Sequence, residues 1–293
     1  MSALSLRNVW VEYGDQIVLE RINLEIASGA FISVVGPSGA GKSTFLRLIL
    51  GQEQPTRGTI LLDGTPLPPE PGPDRGVVFQ RYSVFPHLTV LRNVLIAYEF
   101  EASKVVGQLT GKARRDAIAK SEHLLEGVGL AAHRDKYPSA LSGGMQQRLA
   151  IVQALARRPR VLLLDEPFGA LDPGTRAQMH ALIRPLWREL RMTIIMVTHD
   201  ITEAFGLGTR LIALDRPRLD PHAPGRHGAI VTYDLDLSRG GPVPIPRFSK
   251  PLDSKSLDSK SLDSKSLDSK SLDSKSLDPS DEQANARERR QNA

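Results

Sequence analysis

The segment Gly36-Pro-Ser-Gly-Ala-Gly-Lys-Ser-Thr44 has the residue types and the spacing of a phosphate-binding loop. Its glycines let the backbone turn so that several N–H groups converge on phosphate oxygens. Lys42 would reach the β- and γ-phosphates, and the Ser43 hydroxyl would bind Mg²⁺. An ordinary glycine turn before a helix is the alternative. The flanks favour a nucleotide site, because an apolar run precedes the loop at residues 31–35 and a helical pattern follows it at residues 44–50.

Two adjacent carboxylates, Asp165 and Glu166, follow a second apolar run at residues 161–164. Such a run is typical of a central parallel strand, and sheets of this kind place ligand groups at the carboxyl ends of their strands. One carboxylate near the loop serine is expected to hold Mg²⁺, and the second is placed to orient or deprotonate an attacking water. Carboxylates at strand ends can also be structural, but a pair downstream of a phosphate loop favours catalysis.

Three further side chains stand where a nucleotide site would use them. Gln80 ends a short apolar strand pattern that starts at residue 76, and His199 follows another at residues 193–197, where it could sense the γ-phosphate. Tyr13 adjoins a predicted hairpin turn, and its ring could stack on adenine. Taken alone, each residue has a simpler explanation. Gln80 could cap a loop, His199 could be a structural imidazole, and Tyr13 could pack in the core or on the surface.

A second glycine-bearing helix start lies at residues 141–148, Leu-Ser-Gly-Gly-Met-Gln-Gln-Arg. Ser142 is a good N-cap, and Met145, Leu149 and Val152 recur at helical spacing behind it. A helix start of this kind can bind an anion as the first one does. As an isolated sequence, it fits a simple capped helix equally well.

Composition limits the classes of function. The 293 residues are 40% hydrophobic, enough for a substantial core, and there is no cysteine, which excludes disulfides and thiolate chemistry. No stretch approaches 18 consecutive apolar residues, so we expect a chain that neither spans nor crosses a membrane unaided. The formal charge of +5 is weak evidence for nucleic acid, and an ordinary solvated surface explains it better.

The end of the sequence differs from the rest. The pentapeptide Leu-Asp-Ser-Lys-Ser repeats in tandem over residues 252–276, and residues 250–293 carry six Lys and three Arg against seven Asp and two Glu. A period of five fits neither a helix nor a strand, and one Leu per unit cannot offset the entropy of ordering. We therefore predict a folded domain over residues 1–238 and a Pro-containing linker with a disordered, low-complexity tail over residues 239–293.

The ordered set of these motifs resembles the ATP-binding subunit of an ABC transporter, over roughly residues 3–235. The resemblance implies an α/β fold: a P-loop NTPase core with a mostly parallel sheet, an N-terminal antiparallel β subdomain and a helical subdomain that carries the signature motif at residues 141–148. The fifth signature residue is Met145 where many relatives have Gln, a variation common in importers.

The resemblance also implies roles for the motif residues, with ATP and Mg²⁺ as cofactors. Catalysis would use Glu166 as general base and His199 as the γ-phosphate switch. Lys42 and Gln80 would also be catalytic. The metal ligands would be Ser43, Gln80 and Asp165. Within one subunit, ATP would contact Tyr13, Gly36, Ser38, Gly39, Ala40, Gly41, Lys42, Ser43 and Thr44. From the opposite subunit, the site would be completed by Ser142, Gly143, Gly144 and Gln146, with Asp172 at the subunit interface.

Partners follow from the same resemblance. A homodimer or a paired cassette would bind ATP between its two subunits. ATP hydrolysis would drive transmembrane permease subunits, and residues 81–94 resemble the region that docks a cytoplasmic helix of the permease. A solute-binding protein would act indirectly, no nucleic acid is expected, and the chain would sit at the cytoplasmic face of the cell membrane.

Segments 74–80 and 168–172 look most like nitrate, sulfonate and taurine importers, with urea or amide uptake a close rival. The alternative is a soluble ABC ATPase that acts on ribosomes or DNA.

Overall fold

The computed structural model describes residues 2–80, 84–102, 109–218, 220, 222–223, 225–238 and 241–242. Its strands are β1 Ser2–Tyr13, β2 Gln16–Ala27, β3 Phe31–Val35, β4 Arg57–Leu62, β5 Thr65–Pro66, β6 Arg75–Val78, β7 Val161–Asp165, β8 Thr193–Val197, β9 Arg210–Asp215, β10 Ile230–Asp236 and β11 Gly241–Pro242. Its α-helices are α1 Lys42–Leu50, α2 Val90–Ala102, α3 Gly111–Gly127, α4 Gly143–Ala156, α5 Pro173–Leu190 and α6 Ile201–Leu207. The predicted repeat tail lies outside the described residues, and the domain boundary stays a prediction.

The N-terminal part forms the predicted antiparallel sheet, with strand order β2-β1-β4-β5. Strands β1 and β2 are joined by a tight turn in which Gly14 has a positive φ of 57°, and Tyr13 pairs with Gln16 across it. Over residues 22–27 of β2 buried and exposed residues alternate, so this part of the strand has one face in the core. The turn therefore places Tyr13 and Gln16 side by side.

The second sheet is the mostly parallel core, with strand order β11-β10-β9-β3-β8-β7-β6. Strands β9, β3, β8, β7 and β6 are parallel, while β10 and β11 run antiparallel at one edge. The carboxyl ends of parallel strands meet at one edge of a sheet. The phosphate loop after β3, the carboxylates at the end of β7 and His199 after β8 are therefore brought to the same edge.

Both faces of this sheet are covered. Val161 and Leu163 face a cluster that contains α1 and the antiparallel sheet, whereas Leu162 and Leu164 face a cluster built from the other helices. Burial on both faces explains why these strands read as continuous apolar runs. The predicted α/β fold class, with a β subdomain and a helical subdomain, is confirmed.

The helical subdomain contains α2, α3 and α4, which pack on one another. Residues 84–94, part of the segment that resembles a permease-docking region, are divided between core and surface. Val90 and Val94 are fully buried in α2 and belong to the core, while Pro86 and His87 are exposed in the preceding loop. Asn93, also buried, holds this loop because its side chain bonds the backbone of Phe85 in both directions.

No helix in the described part of the chain is long and apolar enough to cross a membrane.

Candidate nucleotide-binding site

The phosphate loop depends on glycine for close approach as well as for turning. A Cβ on Gly36 would lie 2.2 Å from the carbonyl oxygen of Leu214 in β9. Gly41 has φ 77°, and a Cβ there would lie 2.7 Å from a side-chain methyl of Leu19. The loop is therefore wedged between β9 and the antiparallel sheet, and its glycines allow that fit.

Lys42, the first residue of α1, folds back into the loop. Its ammonium donates to the carbonyl oxygens of Gly36 at 2.7 Å and Pro37 at 2.9 Å. A pocket of about 540 Å³ opens beside it. The pocket is lined by Gln16, Val18, Gly36, Ser38, Gly39, Gly41, Lys42, Ser43, Thr44, Glu166, Val197, His199 and Arg216. Most of the predicted phosphate-loop residues, and two predicted catalytic side chains, thus face one cavity.

The backbone of Glu166 is constrained, and its carboxylate lies close to two other polar side chains. Glu166 has a positive φ of 45°, uncommon for a non-glycine residue, and its amide donates to the carbonyl of Val197 at 2.9 Å. Its Oε2 lies 3.4 Å from His199 Nδ1 and 3.4 Å from Gln80 Nε2. Three residues from three different strand ends therefore meet at one carboxylate oxygen, in an arrangement that can hold and deprotonate a water.

Asp165 lies one residue earlier and faces a smaller cavity of about 90 Å³, which Ser43 and Arg47 also line. Burial raises the pKa of the Asp165 carboxyl, and the neighbouring Glu166 charge raises it further, while Lys42 and Arg47 oppose the rise. A carboxylate whose charge is disfavoured in this way gains from a nearby cation.

The donor set beside the phosphate loop fits Mg²⁺. Ser43 and Asp165 line the same small cavity with side chains that carry oxygen atoms. Gln80 lies 3.4 Å from Glu166, the residue that follows Asp165. Mg²⁺ prefers oxygen ligands and normally keeps few protein ligands beside water and phosphate oxygens. In the described residues no group of three or more His, Cys, Asp or Glu could hold a metal ion.

Of the residues predicted to contact ATP within one subunit, two, Tyr13 and Ala40, do not line the phosphate-loop pocket. The Tyr13 side chain is about half exposed, and its hydroxyl donates to the Glu53 carboxylate. Partial burial raises the pKa of the Tyr13 hydroxyl, and Glu53 adds to the rise. Ala40 is buried behind the loop, so only its backbone can take part. The exposed Tyr13 ring remains free to stack, and adenine stacking stays a prediction.

The signature residues lie elsewhere in the same chain. Ser142 caps α4 as predicted and accepts from the Met145 amide at 3.4 Å. Gln146 donates to the carbonyl oxygen of Pro138 at 2.9 Å. A Cβ on Gly144 would lie 2.4 Å from Thr175 Cγ2, so this glycine allows α4 to approach α5. None of Ser142, Gly143, Gly144 and Gln146 lines the phosphate-loop pocket.

Asp172, predicted at a subunit interface, is the N-cap of α5. It accepts from the Thr175 amide at 3.0 Å, and hydrogen bonds from Thr175 lower the pKa of its carboxyl. It also lies outside the phosphate-loop pocket.

Four lining residues escaped the sequence-based prediction, namely Gln16, Val18, Val197 and Arg216. Gln16 and Val18 begin β2, and the pairing of Gln16 with Tyr13 in a predicted hairpin was an available signal. Arg216 follows β9, the neighbour of β3, and its Nε is buried without a hydrogen-bond partner among the described residues. Its signal was its position at the carboxyl end of a core strand.

Comparison with known proteins agrees with this geometry. Residues 19–169 match the family described as ABC transporter. The nitrate import ATP-binding protein of Synechocystis is 45% identical over 201 residues, which cover 69% of this chain and 72% of that protein. The bicarbonate transport ATP-binding protein of Synechocystis is 46% identical over 240 residues, 80% of each chain.

A solved structure shares the fold. It is a dimeric ATP-binding cassette in a post-hydrolysis state with bound ADP and phosphate, 33% identical to this chain with a TM-score of 0.62. The match covers 80% of this chain and 98% of that one. Together with the phosphate loop and the paired carboxylates, these likenesses establish that the chain belongs to the ABC transporter family, as an ATP-binding subunit that couples ATP hydrolysis to transport.

Proposed function

We propose that this chain is the ATP-hydrolysing motor subunit of a membrane importer for a small solute of the nitrate, sulfonate or taurine type. One observation carries the hydrolytic part of the proposal. Lys42, Glu166 and His199 converge on a single pocket of about 540 Å³ at the carboxyl edge of the core sheet. A pocket of this volume can hold a small ligand, and its lining joins phosphate-binding groups to a candidate base.

Each wall of the pocket has a separate task in hydrolysis. The loop amides and Lys42 bind the β- and γ-phosphates and stabilise the charge that develops on the transferred group. Glu166 accepts the proton of the attacking water, and Gln80 and His199, each 3.4 Å from its carboxylate, orient that water and the γ-phosphate. The half-exposed Tyr13 ring stacks on adenine, while Gln16 and Arg216 line the phosphate-loop pocket.

Mg²⁺ would be held by Ser43, Gln80 and Asp165. When bound, the ion neutralises charge on the phosphate oxygens. The raised pKa of the Asp165 carboxyl supports this assignment, because a cation in the shared cavity would offset the disfavoured charge.

Two cassettes are needed to complete each site. Ser142, Gly143, Gly144 and Gln146 form a capped helix start that lies outside the pocket of its own chain, so they are available to the ATP of an opposite subunit. Asp172 would lie at the seam between the subunits. The dimeric state of the similar cassette supports the same assembly, as a homodimer or a pair of related chains. ATP would close this dimer and hydrolysis would open it.

The membrane partner would be a permease on whose cytoplasmic face the chain sits, with the loop that carries Pro86 and His87 as docking surface. Both side chains are exposed, and Asn93 holds the loop from beneath. The solute class rests on relatives named for nitrate import and bicarbonate transport, together with the sulfonate and taurine resemblance of segments 74–80 and 168–172. Urea or amide uptake is the rival. A solute-binding protein would deliver the solute to the permease.

The test is to purify the full chain from membranes of its host in mild detergent and to identify what accompanies it. We expect a permease, and ATP hydrolysis in the reconstituted complex that depends on Mg²⁺. Nitrate, taurine, bicarbonate and urea, each added with the host's solute-binding proteins, would identify the solute as the one that stimulates hydrolysis. Recovery without any membrane protein, together with hydrolysis stimulated by ribosomes or DNA, would refute the importer assignment in favour of a soluble ABC ATPase.

A further inference from the structure

Glu203 in α6 is a buried carboxylate that the nucleotide pocket does not use. Its side chain is only 3% exposed. The Thr198 hydroxyl donates to its Oε2 at 2.6 Å, and its Oε1 lies 3.3 Å from His180 Nε2 and 3.9 Å from Arg176 Nε. A buried charge with this many partners stabilises one arrangement of its neighbours, because any movement leaves polar groups unpaired.

The two neighbours of His199 belong to this network. Thr198 donates to Glu203, and its hydroxyl accepts from the Asp200 amide at 3.0 Å. Asp200 in turn accepts from the Glu203 amide at 3.1 Å. The His199 imidazole itself is 64% exposed and has little packing of its own. The position of the ring therefore depends on the backbone on either side of it, which Glu203 holds.

The other end of the network lies on α5. Arg176 donates to Asp200 Oδ2 at 3.0 Å and to the carbonyl oxygen of Leu171 at 3.3 Å. His180 packs edge-on against Phe168, with ring centroids 5.1 Å apart. Leu171 and Phe168 both lie in the connection between Glu166 and α5. The network thus joins the segment after the candidate base to the loop of the candidate phosphate sensor.

We infer that Glu203 is a positioning residue that fixes the His199 loop against the start of α5, and that Arg176 is its link to that helix. The inference rests on the proposed role of His199 at the γ-phosphate. Its physical reason is distance: His199 reaches Glu166 only at 3.4 Å, so a small shift of the loop would separate them. Glu203 touches no substrate and acts only through His199.

The first test is Glu203→Gln in the full chain. The amide keeps the size of the side chain, but its nitrogen faces donors and cannot accept from them. We expect kcat for ATP hydrolysis to fall about tenfold while KM for ATP stays unchanged, since the pocket walls that bind phosphate are intact. Glu189→Gln is the matched control, because Glu189 lies exposed on α5 and its nearest partner is His123 at 3.9 Å. A kcat equal to that of the unsubstituted chain would overturn the inference.

A double-mutant cycle separates positioning from general structural support. If Glu203 acts through His199, Glu203→Gln should have no further effect on the residual rate of His199→Ala, measured by single-turnover hydrolysis of labelled ATP. The same fold-loss with and without His199 would overturn the inference, because it would mean that Glu203 supports the fold alone.

Arg176→Gln gives an independent answer even if Glu203→Gln fails to fold, because Arg176 is partly exposed and leaves the bond between Thr198 and Glu203 intact. We expect the same loss of kcat, again absent in the His199→Ala background, while Arg184→Gln on the exposed face of α5 leaves kcat unchanged. An Arg176→Gln variant whose kcat equals that of the unsubstituted chain would overturn the inference. A chain that hydrolyses no ATP before any substitution would instead refute the proposed function, so the two failures are distinguishable.

Discussion

The carboxylate of Glu166 lies 3.4 Å from the imidazole of His199, although the two residues belong to separate connections that follow β7 and β8. They meet because β7 and β8 are parallel neighbours, with Asp165 opposite Val197 in the register. Gln80 arrives at the same carboxylate from the end of β6, on the other side of β7. Strand order in the core sheet therefore determines which side chains can act on the same attacking water.

Glu166→Gln tests the candidate base. Because an amide cannot accept the proton of the attacking water, we expect hydrolysis to fall at least about 100-fold while ATP binding is retained. An ATP-bound dimer should accumulate, visible by size-exclusion chromatography with ATP and Mg²⁺. Glu126→Gln, on the exposed surface of α3, is the control. Undiminished turnover would remove Glu166 from the role of base.

Asp165→Asn tests the metal site. Loss of a carboxylate ligand should raise the Mg²⁺ concentration for half-maximal hydrolysis by about tenfold or more, because hard cations bind carboxylates far better than amides. Titration of activity with Mg²⁺ at fixed ATP measures this shift. An unchanged Mg²⁺ requirement would argue that the ion is held by other groups.

The same substitution predicts an effect on stability with a definite sign. The pKa of the Asp165 carboxyl is raised by burial and by Glu166, so in the folded chain without metal the proton is bound more tightly than in the unfolded chain. Stability contributed by this group therefore falls as the pH rises from below the ordinary aspartate range to above the raised pKa. Without Mg²⁺, Asp165→Asn should melt at a higher temperature than the unsubstituted chain at pH 7, and the difference should shrink at acid pH. Calorimetry at both pH values gives the answer; an unchanged or lower melting temperature at pH 7 would contradict the sign.

Arg216→Ala tests a pocket residue that the motifs do not include. Its side chain lines the phosphate-loop pocket, so the guanidinium can donate to a polar group of the nucleotide. We expect ATP binding to weaken about tenfold, the value of one charged hydrogen bond. Arg226→Ala is the matched control, because Arg226 does not line the phosphate-loop pocket and pairs with Asp220. Equal ATP affinities for the two variants, by titration calorimetry, would count against Arg216.

Gly36→Ala tests the wedge between the phosphate loop and β9. The added Cβ would meet the Leu214 carbonyl oxygen at 2.2 Å, so the loop must shift. We expect ATP binding to be lost and the free energy of unfolding to fall by about 1–3 kcal/mol. Gly206→Ala in α6 is the control, because its Cβ would meet nothing within 4 Å. If Gly36→Ala binds ATP normally, close approach is not what this glycine provides.

Local sequence determined much of this protein. The phosphate loop, the N-cap at Ser142 and the apolar strand before Asp165 were all readable, because turns, caps and buried strands depend on residue types within a few positions. Burial on both faces of the core sheet gave those strands their unmistakable apolar runs. The hairpin of β1 and β2 and the helix α3 give weaker signals, since fewer of their residues are buried than in the core strands.

What only the tertiary structure decided is which distant residues share a site. The β3–β9 pairing carries Arg216 to the phosphate loop, and the packing of α5 on α6 surrounds Glu203 with Thr198, His180 and Arg176. No local pattern marks such residues, because a single Arg or Glu beside a strand or in a short helix is usually solvated. Their surroundings come from strand order and helix packing, which depend on contacts between residues far apart in the chain. The local sequence therefore indicates the chemistry of the site, and the fold determines which residues support it.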